Sequence, residues 1–331
     1  MNKLFNSNYS IICLLVCFSL SFLVFFKADY FGADYLPYTQ IYDGTYDEID
    51  SIEPVFKYLT AFAHYLSIPY TIFAMLVFGF CLTAKVSFSR KVVPYSYGGG
   101  FLFIYMCFYG FLHDLTQLRI AIAVVMCYGA VYQYFFLKNK AWTILWMMFG
   151  VLFHYSIIIW CLSLLITNYR RLIIVITGMF FGLAIIFNYA SIIALYLPNE
   201  KIISYLYSLS NSFSAKESYT FFNLNTIVFL LVFITIEFLS RAVKLSESEF
   251  RFVKYVQCSG VLAFFVFYVF ITVPVVAYRL AELLRVCYPL AIVLLLDKIK
   301  NIHNKVLFII LFVIYSILML GITFRAVSFG S

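Results

Sequence analysis

The chain has 331 residues, of which 64% are hydrophobic and 11% charged, with a mean hydropathy of +0.97. Soluble domains carry about one quarter charged residues, so a soluble enzyme or soluble binding module is excluded. The net charge of +8 comes from basic residues scattered among short loops, which argues against nucleic acid as a partner.

Apolar runs of about membrane-spanning length recur from end to end, roughly at 10–26, 69–84, 97–112, 118–137, 141–167, 171–189, 225–240, 255–275, 282–297 and 306–324. They predict an all-α, polytopic integral membrane protein forming one domain over 1–331. About 11 transmembrane helices are expected, within a range of about 10–12, with the N-terminus inside. The first run follows Lys3 and has no small-x-small cleavage site after it, so it reads as a retained anchor rather than a removed signal. The eight cysteines all lie in apolar runs and none forms C-x-x-C; neither a disulfide framework nor a metal site is expected.

The first long outward loop, about 27–68, holds seven of the fifteen acidic residues among many tyrosines. Aromatic faces that stack on sugar rings, beside carboxylates that accept from hydroxyls, equip a carbohydrate site. An interfacial tyrosine belt with solvated acids has the same composition. Asp34 and Glu53 stand out because each is close to an apolar helix boundary. The run at 118–137 opens from a short outward turn, FLHDLTQLRIAIA, with His113, Asp114, Gln117 and Arg119. Arg119 there either snorkels and pairs with Asp114 or binds an anionic ligand.

The run 141–167 decides the topology. It is either one long helix or two short ones broken at His154-Tyr155-Ser156. Two short helices forming a hairpin put fifteen of the 23 basic residues on the inner side, Lys85 among them, whereas a single span puts eleven there. The positive-inside rule prefers the hairpin, a re-entrant pair with His154 at its outward tip. Beyond it, the second outward loop at about 190–224 is rich in Ser, Asn and Tyr and contains Lys201 and Lys216. Glu237 is expected to be neutralised by Arg241, one helical turn on.

Late in the chain Arg279, Glu282 and Arg285 fall three apart, on the face that the loop charges mark as outside. Glu282 between the arginines makes an intrahelical ion-pair ladder one reading. The other follows from cost: arginine at an outward membrane edge is unusual, and guanidinium forks match phosphate oxygens. Arg119, Arg279 and Arg285 therefore mark a site for a lipid-linked pyrophosphate. His154, beside Ser156, suits a base that takes a proton from a sugar hydroxyl. The spans themselves look largely free of charge. H-E-x-x-H, G-x-S-x-G, Walker A and D-x-D are all absent, so a transferase here would use a lipid-linked donor without metal or cofactor.

With these residues in place, the chain resembles the EpsG-like, Wzy-type polysaccharide polymerases of bacterial O-antigen and capsule clusters. The resemblance lies in G-x-D-Y-x-x-Y from Gly32 to Tyr38, with Tyr42 beyond it, then Glu53-Pro54-x-Phe56. It continues in Leu118-Arg119 opening a helix, F-H-x-S from Phe153 to Ser156, and R-x5-R-x-x-Y from Arg279 to Tyr288. Relatives often carry Arg-Gln at the helix opening, whereas here Ile120 follows Arg119 and the glutamine precedes it as Gln117. The resemblance implies polymerisation of undecaprenyl-pyrophosphate-linked oligosaccharide repeat units at the outer face of the bacterial inner membrane. The residues themselves supply a matching division of labour, with His154 or else Asp34 as catalytic base and substrate binding by Arg119, Arg279, Arg285, Tyr38, Glu53 and Tyr288. Membrane lipid and a chain-length regulator are the further expected partners. Two other readings stand beside it: a polytopic O-acyltransferase, and a flippase or transporter of lipid-linked sugars. The first predicts inward functional arginines and an early-helix histidine, the second charges deep within several spans.

Overall fold

The computed structural model describes Ser19 and residues 35–46, 52–93, 98–114, 117–165, 224–270 and 274–328. All regular structure among these residues is helical. Two short helices come first, α1 (Tyr35–Asp43) and α2 (Pro54–Tyr65), followed by the long α3 (Tyr70–Val92). Next come α4 (Gly98–Tyr105, running on as a π-helical stretch Met106–Asp114) and α5 (Leu118–Val131, likewise extended by Tyr132–Phe136). The broken pair α6 (Lys140–Phe153) and α7 (Ile157–Leu165) closes this half. The second half contains α8 (Leu224–Ala242), α9 (Glu247–Val269), α10 (Pro274–Arg285), α11 (Tyr288–Lys298) and α12 (Ile302–Ser328). Among the described residues five helices are long and apolar enough to cross a membrane: α3, α5 with its extension, α8, α9 and α12. Apart from Ser19, the expected run at 10–26 lies outside the described residues, as do the run at 171–189 and nearly all of the loop at 190–224.

Sequence explains several boundaries. Asn139 starts α6 by accepting from the Trp142 amide at 3.2 Å, after Lys138 takes a left-handed turn at φ 54°. Ser246 and Glu249 form a reciprocal capping box at the start of α9. Helices α5 and α6 form an antiparallel hairpin. Its register shows in Gly129, whose missing side chain is replaced by the Trp146 indole, and in Gly150, which lies against Met126 and Ala123.

The break at residues 154–156 is a true reversal. Phe135, near the far end of α5, lies 5.4 Å from the Tyr255 ring, and Ser163 of α7 approaches the Tyr255 hydroxyl at 3.2 Å. So α7 returns toward the end of the bundle from which α6 set out, as the hairpin reading requires. A second break separates α10 from α11 where the sequence suggested one span over 282–297. Pro289 cannot donate to the Arg285 carbonyl, and the helix stops. Three side chains from three other segments take over the freed carbonyls. Tyr109 donates to Arg285 at 2.7 Å, Tyr128 to Val286 at 2.8 Å, and Ser259 to Leu284. Unpaired backbone groups inside a membrane protein cost several kcal/mol, so these hydroxyls are what make the break tolerable.

One end of the bundle is basic. Phe88 of α3 meets Tyr132 of α5, Phe136 meets Phe252 of α9, and Phe238 of α8 meets Phe308 of α12. These contacts bring Arg90, Lys91, Lys138, Lys140, Arg241, Lys244, Arg251, Lys254 and Lys305 to a common end, with Lys298 bound to Glu249 at 2.7 Å. Glu237 pairs with Arg241 at 2.6 Å, as expected. Lys85, expected in an inward loop, is instead interior. The helix runs eight residues past the apolar run, and Lys85 is fully buried, bound to both oxygens of Asp114 at 2.6 Å.

Candidate functional site

At the opposite end, Glu53 occupies the N-cap position of α2 but does not cap it. Pro54 at the first helical position has no N–H to satisfy, and the carboxylate turns away to the bundle. Its Oε2 lies 2.5 Å from Arg119 Nη1, at the start of α5. Its Oε1 lies 2.9 Å from His154 Nδ1 and accepts from the Tyr155 amide at 3.3 Å. That amide is one the α6–α7 break leaves without a helical partner, so the break and the acid satisfy each other. Tyr38 of α1 completes the group. Its hydroxyl accepts from Arg119 Nε at 3.3 Å, the guanidinium lies 5.6 Å from its ring, and Phe56 of α2 meets that ring edge-on.

Glu53 is buried, and burial alone would raise its pKa. The hydrogen bond from His154 and the charge of Arg119 outweigh that and hold it at about 2. An ionised Oε1 can only accept, so His154 Nδ1 carries a proton and donates it to Glu53, leaving Nε2 to face away from the acid. His154 itself is half-buried. The pair is therefore a carboxylate-oriented imidazole, the arrangement that prepares a histidine to take a proton from a hydroxyl.

Arg279 reaches the same turn. With its carboxamide oxygen toward the guanidinium, Gln117 accepts from Arg279 Nη2 at 3.1 Å and Nε at 3.2 Å. Gln117 stands two residues before Arg119, so the turn opening α5 holds both arginines near one another. Arg285 and Tyr288 are placed elsewhere. Arg285 is buried with its guanidinium 3.6 Å from the Phe229 ring, and its Nε donates to the Ala281 carbonyl at 3.0 Å. Tyr288 is buried edge-on to Phe229, and its hydroxyl has no hydrogen-bond partner among the described residues. Glu282, on the same helix as both arginines, is buried too. Asp34 lies outside the described residues.

Two expectations need correcting. Arg119 was one candidate partner of Asp114, but Asp114 is fully buried against Lys85 and accepts from the Tyr105 hydroxyl at 2.9 Å, while Arg119 is bound to Glu53. The spans are also less free of charge than the sequence suggested, since Lys85, Asp114 and Arg285 are all interior. The missed signal was Lys85, seven residues short of the end of α3, which looks like a loop residue only if the helix stops with the apolar run. Among the described residues no three His, Cys, Asp or Glu side chains converge to hold a metal ion.

The family model for the EpsG family matches residues 10–329. No curated protein and no solved structure matches the chain. That match takes in both the Glu53–Arg119–His154 cluster and the late arginines, and the chain, a multi-pass helical membrane protein, belongs to the EpsG family.

Proposed function

We propose that the protein polymerises polyprenyl-pyrophosphate-linked oligosaccharide repeat units into O-antigen or capsular polysaccharide, at the outer face of the bacterial inner membrane. The observation that carries this reading is the single carboxylate of Glu53 joining an arginine to an outward histidine. Family membership supports a glycan-related role, and the basic end supports the orientation, because the positive-inside rule turns that end to the cytoplasm. Glu53, Arg119 and His154 then face outward.

In this mechanism the acceptor is the terminal sugar of one lipid-linked unit. Its hydroxyl oxygen attacks the anomeric carbon of the donor chain, and the hydroxyl proton passes to His154 Nε2. The anomeric C–O bond breaks and its electron pair leaves with the polyprenyl pyrophosphate. Arg119 and Arg279 stabilise the charge that develops on that leaving group. Glu53 holds the imidazole tautomer and offsets the imidazolium that forms, in the role of an orienting carboxylate. Tyr38, buried beneath the Arg119 guanidinium, holds that arginine in place from behind. Arg285 takes no direct part in this mechanism, since it is buried against Phe229 and coupled to the buried Glu282.

One observation favours a transporter of lipid-linked sugars, namely the charged pair inside the span. Both members are fully buried and bound to each other, which suits a structural tie better than a substrate path. Surface polysaccharide from a deletion strain separates the readings on a gel. A single repeat unit capped on the lipid core marks polymerase loss, no repeat marks flippase loss, and normal length without ester groups marks an acyltransferase. Complementation with Arg119→Ala or Arg279→Ala should leave only short products at normal protein level. Intact long chains from either variant would overturn the pyrophosphate assignment.

A further inference from the structure

Helix α2, which follows Glu53, has a face that the site does not use. Its N-terminal end meets Arg119 and His154 where α5 starts and α6 stops. Its C-terminal end leads through residues 66–69 directly into Tyr70, the first residue of α3. The Tyr42 hydroxyl ties this turn down by donating to the Ile68 carbonyl. Both ends of α2 therefore lie at the same end of the bundle. At twelve residues, about 18 Å, the helix runs across that end instead of along it.

The two faces of α2 differ sharply. Phe56, Thr60 and Ala63 are buried against the bundle. Tyr58, Phe62 and Tyr65, spaced four and three apart, are 75%, 60% and 82% exposed. The helix below fixes the depth. Helix α3 has 23 residues, about 35 Å of rise, against a hydrocarbon layer of about 30 Å, so Tyr70 and the turn before it stand at the membrane boundary. Exposed apolar surface continues down α3 at Ile72 and Phe80, within a membrane-crossing segment. The stripe on α2 is thus the upper edge of the lipid-facing surface, and its tyrosines and phenylalanine suit the zone between headgroups and acyl chains.

We propose that α2 is an in-plane membrane anchor, with Tyr58, Phe62 and Tyr65 resting in lipid at the headgroup–acyl boundary of the leaflet on the site's side. The anchor holds Glu53 at the depth of lipid phosphates, which is where a lipid-linked substrate presents its own. The lipid contact rests on the fold alone and stands whatever reaction the site performs.

The test uses Phe62→Trp in the full-length protein, reconstituted in phosphatidylcholine bilayers, with emission of the three native tryptophans subtracted from the parent protein measured in parallel. Lipids brominated near the carbonyl end should quench the added indole at least twofold more than lipids brominated near the chain middle, and aqueous iodide should quench it weakly. Strong iodide quenching with no effect of either bromolipid would mean that the face meets water and would overturn the proposal. Protection from all three quenchers would mean that protein covers it, a second copy included, and would overturn it equally. Tyr65→Trp provides an independent position if the first variant does not fold, and neither reading depends on turnover.

Discussion

The two oxygens of Glu53 have different partners, and this division sets what single substitutions will do. Glu53→Gln keeps the shape but removes the charge that fixes the His154 tautomer, so polymerisation by purified protein should fall about 100-fold or more, while His154→Gln should remove the base and cost about 10²–10⁴-fold. Equal activity of Glu53→Gln and the parent would refute the orienting role. The same carboxylate makes a pH signature. Its pKa is depressed from 4.5 to about 2, so its stabilisation is fully present above about 4.5 and disappears as pH falls toward about 2. The difference corresponds to about 3 kcal/mol. Melting of the parent and Glu53→Gln should therefore differ at about pH 5, with the gap closing as more acid is added. A gap that grows toward acid would contradict the sign.

Helix breaks carry the next set of consequences, because each one relies on distant side chains. Tyr109 and Tyr128 donate to the carbonyls of Arg285 and Val286 that Pro289 leaves open. Tyr109→Phe or Tyr128→Phe keeps the ring but orphans a buried carbonyl, a loss of about 1–3 kcal/mol by thermal or denaturant unfolding in detergent. No change in either variant would show that water or another group already serves the carbonyl. Gly260 of α9 faces the same break. A methyl group there would collide with the Tyr288 hydroxyl and press on Phe233. Gly260→Ala should cost about 1–3 kcal/mol, and adding Tyr288→Phe should recover part of it. The break at 154–156 differs in kind, since Glu53 satisfies its Tyr155 amide, linking that break to the site itself.

Among the described residues charge is arranged in three zones: a basic end, an interior that holds Lys85, Asp114, Glu282 and Arg285, and an end that carries Arg119. Lys85 and Asp114 join α3 to the end of the π-helical stretch, three residues before Gln117, so they tie the site's turn to the bundle interior. Lys85→Met should destabilise by about 3–5 kcal/mol by leaving a buried carboxylate unpaired. Lys85→Met with Asp114→Asn should be much milder, and a double variant as unstable as the single one would count against a charge pair. Reporter fusions read the other two zones. A fusion after Lys138 and one after Lys244 should both report the cytoplasm, and opposite signals would break the shared basic end.

Composition and the recurrence of apolar runs were enough to establish a multi-pass helical membrane protein, because a long run without charge has few alternatives in water. Loop charge likewise favoured the 141–167 hairpin, which α6 and α7 form, since that bias is a local count. The ordered motifs pointed to the EpsG family and to Glu53, Arg119, His154 and Tyr38, yet left them as separate hints on separate segments. Their convergence depends on contacts between residues up to 101 positions apart, and no periodicity encodes such a distance. The burial of Arg285 and Lys85 was hidden for a related reason. A charge near the end of an apolar run is equally consistent with solvent and with a partner, and whether a partner is present is decided by how the helices pack.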